Sequence, residues 1–232
     1  MSPHRHPAAT DGDPLGAAIS QARDAVRATH ATMHRDLDSA RLSIDGVGHA
    51  LVPTRVIGVD LPRILEAQLG PTGAGPVMYD VGRETGARHA SAFLDGSTVP
   101  DDVRLRLLTG ALQLAHCGYG DVDVLICRPH LDDRFAVLWE SGTSCCAGEA
   151  LADGRRRRAC HLLAGWSAGW GAHATGLPLA AVELSCRAEG VARCRFLLAL
   201  ADLLDDHLRD EAYHRPTAQY ANRAPVRSAR PD

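Results

Sequence analysis

The chain has 232 residues, 45% of them apolar and 23% charged, with a formal charge of −3. That suffices for one large domain or two small ones, and it excludes a strongly basic nucleic-acid binder. No apolar run approaches the ~20 residues of a membrane span, and MSPHRHPAATDGDP lacks the apolar core of a secretory signal, so a cytoplasmic protein without membrane contact is expected. In that reducing setting the seven cysteines read as thiols or metal ligands before disulfides.

Residues 1–14 are polar and marked by Pro and Gly, a composition expected to be disordered. A helix is predicted over Leu15–Leu37. Leu15, Ile19, Ala22, Val26, Met33 and Leu37 form the narrow seam of a coiled coil. Such a seam needs a partner, either the rest of the chain or a second copy in a homodimer. His30 and His34 stand four apart on it, a spacing open to a solvated face or a metal. Residues 41–60 read as a β-hairpin turning at Asp45-Gly46. Leu61–Leu69 is a short helix closed by Gly70-Pro71. Val77 to about Phe93 is a helix in which Gly82 and Gly86 make a smooth stripe for another backbone. Residues 102–117 form a further helix. Asp121–Arg128 and Arg134–Glu140 are strands, and 141–154 is a loop or short helix holding Cys145-Cys146.

The next helix is predicted from Arg155 to Thr175, with Arg155–Arg158 at its start as a solvated end or an anion-binding patch. Gly165 and Gly169 form a second glycine pair, and Gly176 and Pro178 mark the stop. Leu179–Ala201 is a hairpin turning at Gly190. Pairing about that centre opposes Cys186 to Cys194, Leu184 to Phe196, Val182 to Leu198 and Ala180 to Leu200, which defines an apolar core face. Glu183, Ser185, Arg187, Arg193 and Arg195 then fall on the other face. A short helix runs to about Tyr213, and residues 214–232 are expected to be disordered. The fold class is α+β, an antiparallel sheet packed with helices and carrying an N-terminal helical and hairpin arm. The region 15–150 and the core 151–213 are expected to form one compact unit.

Cys160, Glu183, Cys186 and Cys194 follow a C-x22-E-x2-C-x7-C order. Three thiolates and a carboxylate make a full tetrahedral shell for zinc, although cysteines also serve as small buried apolar residues. Opposed Cys186 and Cys194 would lie ~5 Å apart at Cβ, suited to one shared ion. Glu183 has the wrong parity in a regular strand, so ligation requires a β-bulge near Leu184–Ser185.

The segment HLLAGWSAGWGAHATGLPLAAVELSCRAEGVARCRFLL resembles the 4-vinyl reductase-like domain, with its Cys at the helix start, G-x-x-x-G, and E-x-x-C-x-A-x-G-x-x-x-C-x-F. Upstream, G-x-x-x-V-P-T-R-V, G-R-E-T-G-A-R-H-A and V-L-W-E-S resemble the N-terminal sensor half of aromatic-responsive (phenol or xylene) transcription activators. The resemblance covers roughly residues 41–200 and is strongest over 155–200. It implies a 4-vinyl reductase, nitric-oxide-signalling-like fold and one structural zinc on Cys160, Glu183, Cys186 and Cys194. It also implies a buried cavity for a small aromatic beside the metal. Trp139 matches the indole that grips the ligand hydroxyl, His116 is the nearest candidate for the accompanying histidine, and Trp166 is a further wall candidate. Ala164 and Ala181 stand where phenol sensors carry aromatics. No phosphate loop of G-x4-G-K-[ST] form is present, so an ATP-driven activator is not expected from this chain alone.

Three functional classes follow. The first is a stand-alone zinc-containing sensor that holds a small aromatic or apolar molecule and signals to a separate regulatory or biosynthetic protein. The second is a tailoring enzyme, a reductase or lyase on an aromatic, polyketide-like or tetrapyrrole-like substrate. Cys145 or Cys146 would supply its thiol, and His116, His161 or His173 its base. The third is an adaptor on the same fold, with an exposed apolar patch and no sealed cavity. An enclosed space of ~300 Å³ walled by Trp139 separates the first two from the third.

Overall fold

The computed structural model describes residues 14–215, apart from 31–32, 37, 40, 45–46, 97–98 and 131–133. The expectations for residues 1–13 and 216–232, and the Asp45-Gly46 turn itself, lie outside the described residues.

Helix α1 spans Pro14–His30 and ends earlier than its sequence pattern suggested. Leu15, Ile19, Ala22 and Val26 are buried, and the helix packs on α4 (Val103–His116). The chain therefore covers its own seam. Met33 is exposed beyond the helix, and His34 lies in strand β1 (His34–Asp36), so the His30–His34 helical spacing is not realised. Strand β1 pairs antiparallel with β2 (Arg41–Ile44), and β2 with β3 (Val47–His49). The hairpin expected to reach residue 60 stops at His49. Val56–Asp60 is a π-helical turn leading into α2 (Leu61–Leu69). Gly70 closes α2 at φ 82°, a left-handed conformation that glycine adopts without strain.

Helices α3 (Ala74–Gly96) and α6 (His161–Thr175) form the central pair. Both glycine pairs lie in their contact. A Cβ on Gly82 or Gly86 would overlap the backbone of Leu162 or Trp166, and one on Gly165 or Gly169 would overlap the carbonyls of Tyr79 or Arg83. The stripes are therefore a backbone-to-backbone seam, worth its helix-propensity cost because both sides use it.

The main sheet has the order β4-β5-β7-β6, all antiparallel: β4 Asp123–Arg128, β5 Ala136–Ser141, β6 Leu179–Ser185 and β7 Cys194–Leu200. Its helix-facing side carries Val137, Trp139, Phe196, Leu198 and Ala181. The other side is covered as well. There Ala136, Leu138, Leu197 and Tyr213 make a second small core with Leu204 and Leu208, which belong to α7 (Leu204–Arg209). Both faces are dry, so apolar pattern does not distinguish them. For that reason the register drawn from the sequence is one residue out along most of β6. The observed pairs are Ala180↔Ala199, Val182↔Leu197 and Glu183↔Phe196. Leu179, Ala181 and Glu183 are the buried positions, and Arg195, placed by the sequence on the face opposite the core, is buried against Glu140 with Nε donating to Oε1 at 2.7 Å.

Within 141–154, expected as a loop or short helix, Cys145–Ala152 is a short helix, α5. One further boundary differs. Instead of opening α6, Arg155–Arg158 precede it, and the helix starts at His161 with Cys160 as N-cap. Arg155 and Arg157 both pair with Glu66. Among the described residues no helix is long and apolar enough to cross a membrane.

Candidate metal centre

Cys160 sits at the N-cap position of α6, where its carbonyl accepts from Ala164 N–H at 3.1 Å. Glu183 is on β6, Cys186 follows it, and Cys194 opens β7. The register shifts between Glu183 and Ser185, with Ser185 paired to Arg195. This is the irregularity that parity required. It keeps Glu183 on the helix-facing side and still carries the chain into Cys186. A 3-10 turn, Arg187–Glu189, and Gly190 at φ 97° close the hairpin.

One ligand atom from each of Cys160, Glu183, Cys186 and Cys194 lies within 4.8 Å of all the others, and all four residues are buried. The Cys160 and Cys194 sulfurs are 3.7 Å apart. Two thiolates at ~2.3 Å from one tetrahedral zinc would be roughly 3.8 Å apart. Cys160 N–H donates to Glu183 Oε2 at 3.2 Å, while Glu183 Oε1 is buried with no partner among the described residues. Ser144 Oγ lies 3.1 Å from Cys160 Sγ, and Arg187 N–H donates to Cys194 Sγ at 3.3 Å.

Proton affinities report the same strain. Burial, with Cys186 beside it, pushes the Glu183 carboxyl up to about 9. Hydrogen bonding with Cys186 and Cys194, together with burial, raises Cys160 well above the usual thiol range. Cys194 is held down because it accepts from Cys160, Cys186 and the Arg187 N–H. A soft divalent cation resolves all of these at once, because it satisfies the orphan oxygen and replaces the shared protons. The cluster can therefore hold a metal ion.

Trp139 and Trp166 meet in a different place. With Trp170 they wall a cleft of about 20 Å³, completed by Leu107, Gly110, Ala111, Val137, Ser167, Gly171 and Leu198. That is room for a water molecule, well short of the ~300 Å³ set above to separate a ligand-binding pocket from an adaptor, so in this form the cleft does not meet that criterion. Trp139 stacks on Phe196 with ring centroids 4.0 Å apart, and Trp166 on Trp170 at 4.9 Å. Trp170 Nε1 donates to Arg106 O at 2.8 Å, and the Trp166 N–H is buried without a partner among the described residues. His116 is not in this wall. It is exposed at the end of α4, whose cleft-facing residues are Leu107, Gly110 and Ala111. The reason is helical phase: position 116 lies on a different face of α4 from 107, 110 and 111.

Of the remaining candidates, buried Cys146 has its pKa raised by its hydrogen bond with Cys145 and by burial, and it lies close enough to the cluster for Glu183 and Cys194 to raise it further; the others are scattered. Cys145 and Cys146 hold their sulfurs 3.9 Å apart in the first turn of α5. His173 Nε2 is 3.1 Å from Asp95 on the exposed side of α6. His161 lines a small hollow with Arg155, Arg157, Arg158 and Glu66.

No protein-family model matches the chain, and no curated protein sequence does. Among solved structures, the crystal structure of the phenol-responsive sensory domain of the transcription activator PoxR with phenol matches over 84% of this chain and 97% of that one. The TM-score is 0.68 at 18% identity. The chain has the fold of that sensory domain.

Sequence reasoning missed Ser144, Trp170 and Arg158. Trp170 follows Trp166 by one helical turn, a signal that was present. Ser144 and Arg158 reach the cluster only through tertiary packing, which spacing does not encode.

Proposed function

We propose that the chain is a small-molecule sensory module, with one structural zinc on Cys160, Glu183, Cys186 and Cys194 and a small aromatic or apolar ligand taken up at the Trp139–Trp166–Trp170 cleft. The observation that carries this reading is the buried four-donor cluster with an orphan carboxylate oxygen, on a fold shared with a phenol-responsive sensory domain. Three thiolates favour zinc over hard cations. With four protein ligands zinc has no open position, and the shell carries a formal charge of about −2, which suits structure and not Lewis-acid chemistry. Ligand recognition then falls to the cleft.

The cleft is closed by stacked rings, so a ligand enters by displacing an indole. Gly110 and Ala111 of α4 and Gly171 of α6 line it with small residues, and the Trp170 indole rests against Gly110. With His116 outside the wall, binding relies on aromatic stacking and the unpaired Trp166 N–H. The ligand-bound form would signal to a separate regulatory or biosynthetic protein. Because α4 covers the α1 seam, we do not assign that seam to a homodimer contact.

Native mass spectrometry of protein purified from its host tests both halves. One zinc per chain and a retained small organic molecule are expected. Trp139→Ala should keep the zinc and weaken binding of an aromatic probe such as toluene or phenol at least tenfold, read by tryptophan fluorescence. Absence of zinc would sink the metal assignment. Failure of every aromatic probe to perturb the wild-type emission would sink the cleft.

A further inference from the structure

Arg158 lies two residues before Cys160. Its Nη1 donates to Glu183 O at 2.7 Å and its Nη2 to Leu184 O at 3.2 Å. Its Nε is 3.5 Å from Glu189, on the turn between Cys186 and Cys194. One guanidinium thus joins the segment entering Cys160, the bulge carrying Glu183, and the loop between the last two cysteines.

The geometry of that grip is selective. Consecutive carbonyls of a regular strand point to opposite edges, so one planar fork takes both only where the strand is distorted. Strand β6 is the edge of its sheet, and among the described residues no further strand offers donors there. The bulge, directly after Glu183, is also what lets Glu183 and Cys186 face one cluster. We infer that Arg158 is the positioning residue for Glu183: its bidentate hold on the Glu183 and Leu184 carbonyls fixes the bulge that brings this carboxylate and Cys186 to one metal. Arg158 touches no ligand atom itself. Its charge lies near a shell with excess negative charge, but the fork does what a point charge cannot. This inference rests on the metal reading given above.

Cobalt(II) substitution in the full chain under reducing conditions tests it. Thiolate-to-cobalt charge transfer reports the sulfur ligands, and the d–d bands report the whole ligand set. Wild type should take up one cobalt per chain. Arg158→Ala and Arg158→Lys should keep the charge-transfer intensity, shift the d–d bands to the pattern of Glu183→Gln, and bind cobalt roughly 10–100-fold more weakly in a chelator competition. Arg158→Lys retains the charge and lacks the fork, so it separates geometry from electrostatics, and it serves alone if the alanine variant does not fold. The double variant Arg158→Lys/Glu183→Gln should bind no more weakly than Glu183→Gln. Wild-type d–d bands with affinity within twofold in Arg158→Lys would overturn the inference, as would additive losses in the double variant. No cobalt uptake by wild type would instead overturn the metal reading.

Discussion

A carboxylate buried beside three thiols has two comfortable states, protonated or bound to a cation. Glu183 without a metal is pushed to the first, with its pKa raised to about 9, and it still leaves one oxygen unsatisfied. His89 is a half-buried titratable group, and it links the small sheet to the cleft. Its ring lies 5.4 Å from that of His49 on β3 and 6.3 Å, edge-on, from Trp166. Burial, and then His49, lower its pKa from 6.5. Above pH 6.5 the imidazole is neutral both folded and unfolded, and the full stability is present. As pH falls below 6.5 the unfolded chain takes up the proton first, so stability is lost until the pH passes the lower folded value. Urea midpoints should therefore drop between pH 7.5 and 6.0, with metal content verified at both. His89→Gln should make that drop shallower, and an unchanged slope would remove His89 as its source.

Among the elements, the α3–α6 seam and the β6–β7 hairpin show two kinds of constraint. The seam is set by absent atoms. Gly165→Ala should destabilise by about 1–3 kcal/mol, or more if the helices cannot part, because the new methyl meets the Tyr79 carbonyl, which belongs to rigid helical backbone. Chemical denaturation measures this directly, and Gly148→Ala is a suitable control because a Cβ there meets nothing within 4 Å. Both glycine pairs were visible in the sequence because four-residue spacing is helical phase. The hairpin was legible only in part. Gly190 fixed its turn and Glu183 parity required its bulge. The pairing of Val182 and Ala180 was misjudged, because α7 and Tyr213 dry the face that a two-layer reading leaves wet. Residues 50–60 failed for a related reason. Leu51, Val52, Val56 and Ile57 have the apolar, largely β-branched character of a strand, but residues 54–60 turn helical against α5, with Gly58 pressed on Cys146 and Glu149.

For the whole molecule, the cluster stands where three layers of the fold converge. Cys160 starts the central helix, Glu183 and Cys186 come from the edge strand and its exit, and Cys194 starts an interior strand. A bound ion therefore cross-links α6 to the sheet at one end, while α3 and α4 hold α6 along its length. Structural zinc supplies on the order of 10 kcal/mol toward folding in small peptides, where nothing else orders the ligands. Here a large apolar core already does much of that ordering, so the loss on chelation should be partial. A loss of about 4 kcal/mol corresponds to a fall of roughly 8–16 °C in Tm for a chain this long. Stripping the metal with a strong chelator under reducing conditions should lower Tm by about that much and restore it on adding one equivalent of zinc. Far-UV circular dichroism should change little, because α3, α4 and α6 pack without the ion. A chelated protein that melts with the untreated one would show that the fold stands on its apolar core alone.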